Sequence, residues 1–114
     1  MDPRNFMDVA HGLLGVASKE AHLRTSISRS YYAQFLSIRD RLIITGFSLP
    51  KTNEHRAIID ELNRRGQTKL GARLNNLRQQ RRKADYEMDK KIIHKDATLA
   101  YRLAGEVEAL SNHL

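Results

Sequence analysis

No cysteine occurs in the 114 residues, which excludes both a disulfide framework and a thiolate metal site. The same absence fits a reducing compartment, so a cytoplasmic location is the expectation. No apolar run approaches the roughly 20 residues needed to cross a bilayer, and no membrane association is expected. The amino terminus, Met1-Asp2-Pro3-Arg4-Asn5, lacks the basic-then-apolar order of a secretory signal. A Gly-rich phosphate loop, a Gly-x-Ser-x-Gly elbow and a His-Glu-x-x-His pair are all missing. The histidines, His11, His22, His55, His94 and His113, stand too far apart to form a compact ligand set. Neither a metal nor a cofactor is expected. Acid is also missing locally: between Arg64 and Lys83 there is no Asp or Glu.

Basic charge is plentiful. Lys and Arg together number 20 against 13 acids, a formal net charge of +7. Such an excess favours an anionic partner, without choosing between nucleic acid, nucleotide and acidic protein. The length suits one hydrophobic core and is short for two, so residues 1–114 read as a single helical domain.

Apolar residues recur at intervals of three and four, the helical period. Asp2 and Pro3 give a helix start, and Phe6, Val9, Ala10, Leu13, Leu14 and Ala17 outline the first helix. The segment from Gly15 to Ser18 ends or bends it. A longer helix follows on the seam Leu23, Ile27, Tyr31, Phe35, Ile38 and Leu42, and Gly46 terminates it. Thr52 or Asn53 is placed to cap a third helix, packed through Ile58, Ile59 and Leu62 and interrupted at Gly66. Leu70, Leu74 and Leu77 give a fourth helix its inward face. A last helix has Asp96 in its first turn and buries Ala97, Ala100, Leu103, Ala104, Val107 and Leu110. The expected fold class is all-α, a compact bundle of about five helices.

The acid-free stretch carries Arg64, Arg65, Lys69, Arg73, Arg78, Arg81, Arg82 and Lys83. With the leucines inward, Arg78 and Arg82 lie one turn apart on an outer face. Like charges so spaced repel by roughly a few tenths of a kcal/mol per pair, a cost that a folded domain absorbs. One reading is a solvated face that aids solubility. The other is an electrostatic platform for phosphates, to which arginine offers a planar fork of donors. The stretch holds no aromatic residue, which points to backbone contacts rather than base stacking.

Three further groups are candidates. Arg29 and Tyr32, three apart on the second helix, can face one cleft that admits a phosphate or a base. Tyr31 and Phe35 follow the core seam, while Arg24, Arg39 and Arg41 read as surface residues, with Asp40 a partner for Arg39. Asp85 can hold Arg81 or Arg82 through a charge-assisted hydrogen bond, with Tyr86 packed against the bundle. His94, near Lys90, Lys91 and Lys95, suits a phosphate contact or acid-base work; His55 reads as a surface or capping residue.

The segment Ser30-Tyr31-Tyr32-Ala33-Gln34-Phe35 followed by Arg39, with Arg81-Arg82-Lys83-Ala84-Asp85-Tyr86 further on, resembles the HEPN (higher eukaryotes and prokaryotes nucleotide-binding) family. The resemblance spans most of the chain. It implies a small helical bundle, a homodimer, and a place in a prokaryotic toxin-antitoxin or defence pair with a nucleotidyltransferase-like partner. The family's ribonucleases carry an arginine, four to six residues, then a histidine near the last helix, and cleave RNA without metal. This chain departs from that pattern. His94 has no arginine at that distance before it, Lys90 standing nearest with three residues between; Arg4 and His11 have the spacing but lie at the amino terminus. The expectation is therefore a non-catalytic or degenerate HEPN-like module. It binds RNA or a nucleotide through Arg29, Tyr32, Arg78, Arg81, Arg82, Lys83 and Asp85. Two alternatives stand beside it. One is a metal-independent endoribonuclease toxin using Arg81 or Arg82 and His94; the other is a basic adaptor for an acidic protein.

Overall fold

A computed structural model describes residues 2–15 and 19–114. Among these residues five helices follow one another: α1 (Asn5–Gly15), α2 (Glu20–Ile44), α3 (Glu54–Arg64), α4 (Thr68–Tyr86) and α5 (His94–Ser111). No strand occurs among the described residues, and the fold is an all-α bundle. Ala17 lies outside the described residues.

The 25 residues of α2 rise about 37 Å and set the long axis of the 42 × 26 × 24 Å molecule. Around this helix pack α1, α4 and α5, while α3 rests mainly on α4. Every member of the α2 seam from Leu23 to Leu42 is buried, as are Ile58 and Leu62 of α3 and Leu70, Leu74 and Leu77 of α4. On α5 the small residues Ala97, Ala100 and Ala104 are wholly buried, with Val107 beyond them, and they let α2 approach closely. Leu103, Leu110 and Ile59 sit at the edges of their faces and are only half-buried.

The inward face of α1 differs from the expected one. It runs through Met7, Ala10 and Leu14, whereas Val9 is 48% exposed. Val9 stands two residues from Met7, about 200° round the helix, so burying one turns the other outward.

Two arginines expected at the surface instead close helix ends. Arg24 donates to the carbonyls of Lys83, Ala84 and Glu87 at 3.3, 2.8 and 3.3 Å, and to that of Lys90, while pairing with Glu20 at 2.9 Å. Those carbonyls are acceptors left over at the end of α4 and in the loop after it. Arg41 does the same for α5, donating to the Ser111 carbonyl and to Asn112 Oδ1. Arg39 does pair with Asp40, at 3.0 Å. Gly46 and Gly66 adopt φ of 103° and 79° after α2 and α3, where a side chain is strained. Asn53 precedes α3 in the left-handed region at φ 54° and gives no side-chain cap, and neither does Thr52. Asp96 accepts from the Ile93 N–H at 2.9 Å and so fastens the start of α5.

One face of α2 is polar yet buried. Ser26 Oγ donates to the Ala10 carbonyl at 2.8 Å, tying α2 to α1. Ser30 and Gln34, one and two turns further on, are also fully buried, but the Ser30 hydroxyl and both ends of the Gln34 amide have no partner among the described residues.

Candidate anion-binding face

The eight cations from Arg64 to Lys83 do not act as one surface. Arg64 and Arg65 both bond the carboxylate of Glu61, through Nε at 2.8 and 2.7 Å. These hydrogen bonds, that of Arg64 first, hold the Glu61 carboxyl at about 2. Arg65 also donates to Thr45 Oγ1 at 2.6 Å, and Arg73 pairs with Glu106 at 3.0 Å.

Arg81 is the most enclosed. Its guanidinium lies 5.7, 5.0 and 5.3 Å from the ring centres of Tyr31, Tyr32 and Tyr86. It donates to the Tyr32 hydroxyl, and Nε sits 2.9 Å from Asp85 Oδ2, which also accepts from Ser28 Oγ at 3.4 Å. Asp85 therefore holds Arg81 and not Arg82. Together these contacts rivet α4 to α2 through cation–π and charge-assisted bonds, leaving Arg81 little freedom to meet a ligand.

Four cations of the stretch remain without an ion pair or side-chain hydrogen bond among the described residues: Lys69, Arg78, Arg82 and Lys83. Helical geometry sorts them. Asn75, Arg78, Gln79, Arg82 and Tyr86 fall within about 100° of one another on the outer side of α4. Lys83 is turned about 140° from Arg78, onto the opposite flank. Tyr86 is 66% exposed rather than packed on the bundle, because its position lies about 180° from the inward Leu77. With Gln79, Arg82 and Glu87 it lines a surface depression of about 400 Å³. An aromatic ring therefore stands at the end of the basic stripe, supplied from just beyond the acid-free stretch.

A second cleft, of about 440 Å³, opens beside Arg78 between the start of α3 and the middle of α4, lined by Asn53, Glu54, His55, Arg56, Ile59, Asn75 and Arg78. His55 forms its inner wall. Its Nδ1 is 2.9 Å from the Tyr31 hydroxyl and its Nε2 is 3.3 Å from Asn75 Oδ1. Asn75 Oδ1 can only accept, which assigns the proton to Nε2 and leaves Nδ1 to accept from Tyr31. Phe35 stacks on the imidazole at 6.2 Å. Burial, opposed by the Asn75 bond and aided by the charges of Arg78 and Arg81, lowers His55 to about 4. The ring is thus neutral near pH 7. Burial likewise pushes the Tyr31 hydroxyl up.

No protein-family model, no curated protein and no solved structure matches the chain.

Besides Lys83, two further expected site residues stand apart from this face. Arg29 lies over the Phe6 ring of α1 at 5.5 Å, and no described contact joins it to Tyr32. His94 opens α5, exposed, with Nδ1 3.3 Å from Thr98 Oγ1. No described contact joins it to Arg81 or Arg82. His55, expected as a surface or capping residue, is instead half-buried and bonded to Tyr31 and Asn75, and with Asn75, which was not among the expected site residues, it flanks Arg78. Among the described residues no cluster of His, Asp and Glu could hold a metal ion, and no helix is long and apolar enough to cross a membrane.

Proposed function

We propose that this chain is a non-catalytic, HEPN-like helical module that binds RNA or a nucleotide-containing ligand through the outer face of α4. The observation that carries this reading is that Arg78 and Arg82, one turn apart, keep their donors unspent while Arg64, Arg65, Arg73 and Arg81 are engaged within the bundle. An unengaged guanidinium offers two parallel donors to a phosphate, and Tyr86 beside Arg82 adds a ring on which a base can stack. A homodimer, and a nucleotidyltransferase-like partner within a prokaryotic toxin-antitoxin or defence pair, belong to this proposal through the sequence resemblance alone.

The endoribonuclease reading needs an arginine and a histidine acting on one phosphate. Arg81 is clamped, and no described contact joins His94, which is bonded to Thr98, to Arg81 or Arg82. The deciding experiment incubates RNA with the protein in EDTA and measures both binding and cleavage. Binding without cleavage is expected, weakened in Arg78→Ala and Arg82→Ala. Cleavage abolished by both Arg82→Ala and His94→Ala would overturn the non-catalytic reading.

A further inference from the structure

The cleft between α3 and α4 differs from the stripe it adjoins, because it joins an unengaged cation to a half-buried, hydrogen-bonded imidazole. Arg78 enters it without an ion pair or side-chain hydrogen bond among the described residues, and Asn75 has two N–H donors to offer while its Oδ1 accepts from His55. Behind them His55 is bonded at both nitrogens, to Tyr31 and to Asn75. We propose that this cleft seats a phosphate group of the polyanionic ligand between Arg78 and Asn75, and that His55 takes up a proton from solvent as the phosphate docks. The inference rests on the reading of α4 as a phosphate-binding face and names the place on it where binding is coupled to protonation.

The coupling follows from what surrounds the ring. From α2 it meets Tyr31; from α3, Glu54 and Arg56 line the same cleft; from α4, Arg78 and Arg81 bring positive charge. Without ligand, burial and the two arginines keep the ring neutral. A phosphate bound at Arg78 offsets that charge and adds its own, which favours the imidazolium. Both ring nitrogens already have oxygen partners. Nε2 continues to donate to Asn75. At Nδ1 the bond only reverses direction, the Tyr31 oxygen accepting where it had donated. Protonation therefore leaves both ring nitrogens partnered and turns the Tyr31 hydroxyl hydrogen out of its present bond.

Linkage fixes the sign. The midpoint of His55, about 4 in the free protein, moves up by about one pH unit or more in the complex. Affinity then rises as pH falls toward the higher midpoint. The test uses oligouridylate, whose bases and diesters do not titrate over the range, at fixed ionic strength from about pH 7.5 to about pH 5. Wild type is expected to tighten by about twofold to tenfold toward the acid end. His55→Gln should bind at neutral pH but lose the extra tightening, and Arg82→Ala should bind more weakly while keeping it. In wild type, the His55 ring resonance, followed by NMR with and without oligouridylate, should show the raised midpoint directly. This measurement does not depend on any variant folding. A midpoint unmoved by saturating oligouridylate, with wild type and His55→Gln sharing one pH dependence, overturns the coupling and leaves the wider RNA-binding reading standing. Should oligouridylate fail to bind at any salt, that wider reading fails, and sulfate titrated against the wild-type NMR spectrum decides the cleft. Shifts confined to His55, Asn75 and Arg78 support it; an unchanged spectrum overturns it.

Discussion

The carboxylate of Glu61 is 8% exposed and takes bonds from two arginines, so its ionisation is part of what holds α3 to its own last turn. A carboxyl ordinarily at 4.5 and held at about 2 in the fold adds stability that is complete above the unfolded value and lost as pH falls through the folded one. Glu61→Gln is therefore expected to melt below wild type at neutral pH, and the two melting curves should converge as pH is lowered from about 4.5 toward 2. Parallel curves across that range would show that the bonds contribute nothing net. Gln34 presents the opposite case. Its amide is wholly buried, with both ends unpartnered among the described residues, a desolvation cost of about 1–3 kcal/mol. Gln34→Leu, close in volume, is expected to raise stability by about 1 kcal/mol or more in denaturant titration. A loss would mean that ordered water fills the polar ends.

At the scale of the helices, α5 carries a glycine where none is needed. Gly105 is exposed, and a Cβ built there meets nothing within 4 Å, so Gly105→Ala gains helix propensity without a clash. The expected gain is about 0.5–1 kcal/mol, read as a rise in melting temperature of about 2–8 °C. Gly71 in α4 is different: there a Cβ would come within 3.2 Å of Asn63 Oδ1 and 3.8 Å of Leu62 Cβ, which is how closely α3 and α4 approach. Helices of this kind were the legible part of the sequence. The seam from Leu23 to Leu42 and the run Leu70, Leu74, Leu77 announce their faces through spacing alone. α1 was harder to read, because an 11-residue helix with apolar residues on several sides does not declare which side its neighbours will cover. The partners of Arg24 and Arg41 lie about sixty and seventy residues away, a distance that no local pattern spans.

The molecule as a whole carries +7, yet its usable charge is far more localised than that figure. The sequence shows the basic stretch and hides its neutralisation, since Glu61, Asp85 and Glu106 all stand outside Arg64–Lys83 and reach in after folding. The same applies to His55, whose partners on α2 and α4 are 24 and 20 residues away. Salt dependence separates engaged from unengaged charge. Each phosphate contact on a single strand contributes about 0.7 to the slope of log affinity against log salt. Arg82→Ala is expected to reduce that slope by about that amount, whereas Arg64→Ala, at a side chain already committed to Glu61, leaves it within error. Equal reductions in both would return the stretch to a diffuse cloud of charge. The two arginines of α2 also set a rule for how this chain can change. Arg24 and Arg41 stand 17 positions apart on one helix, about 25 Å, and each grips the end of a different neighbour. An insertion or deletion of a single residue between them turns one grip by about 100° relative to the other. Exposed positions of α2 such as Ala21 and Ile44 are open to drift, but its length is not.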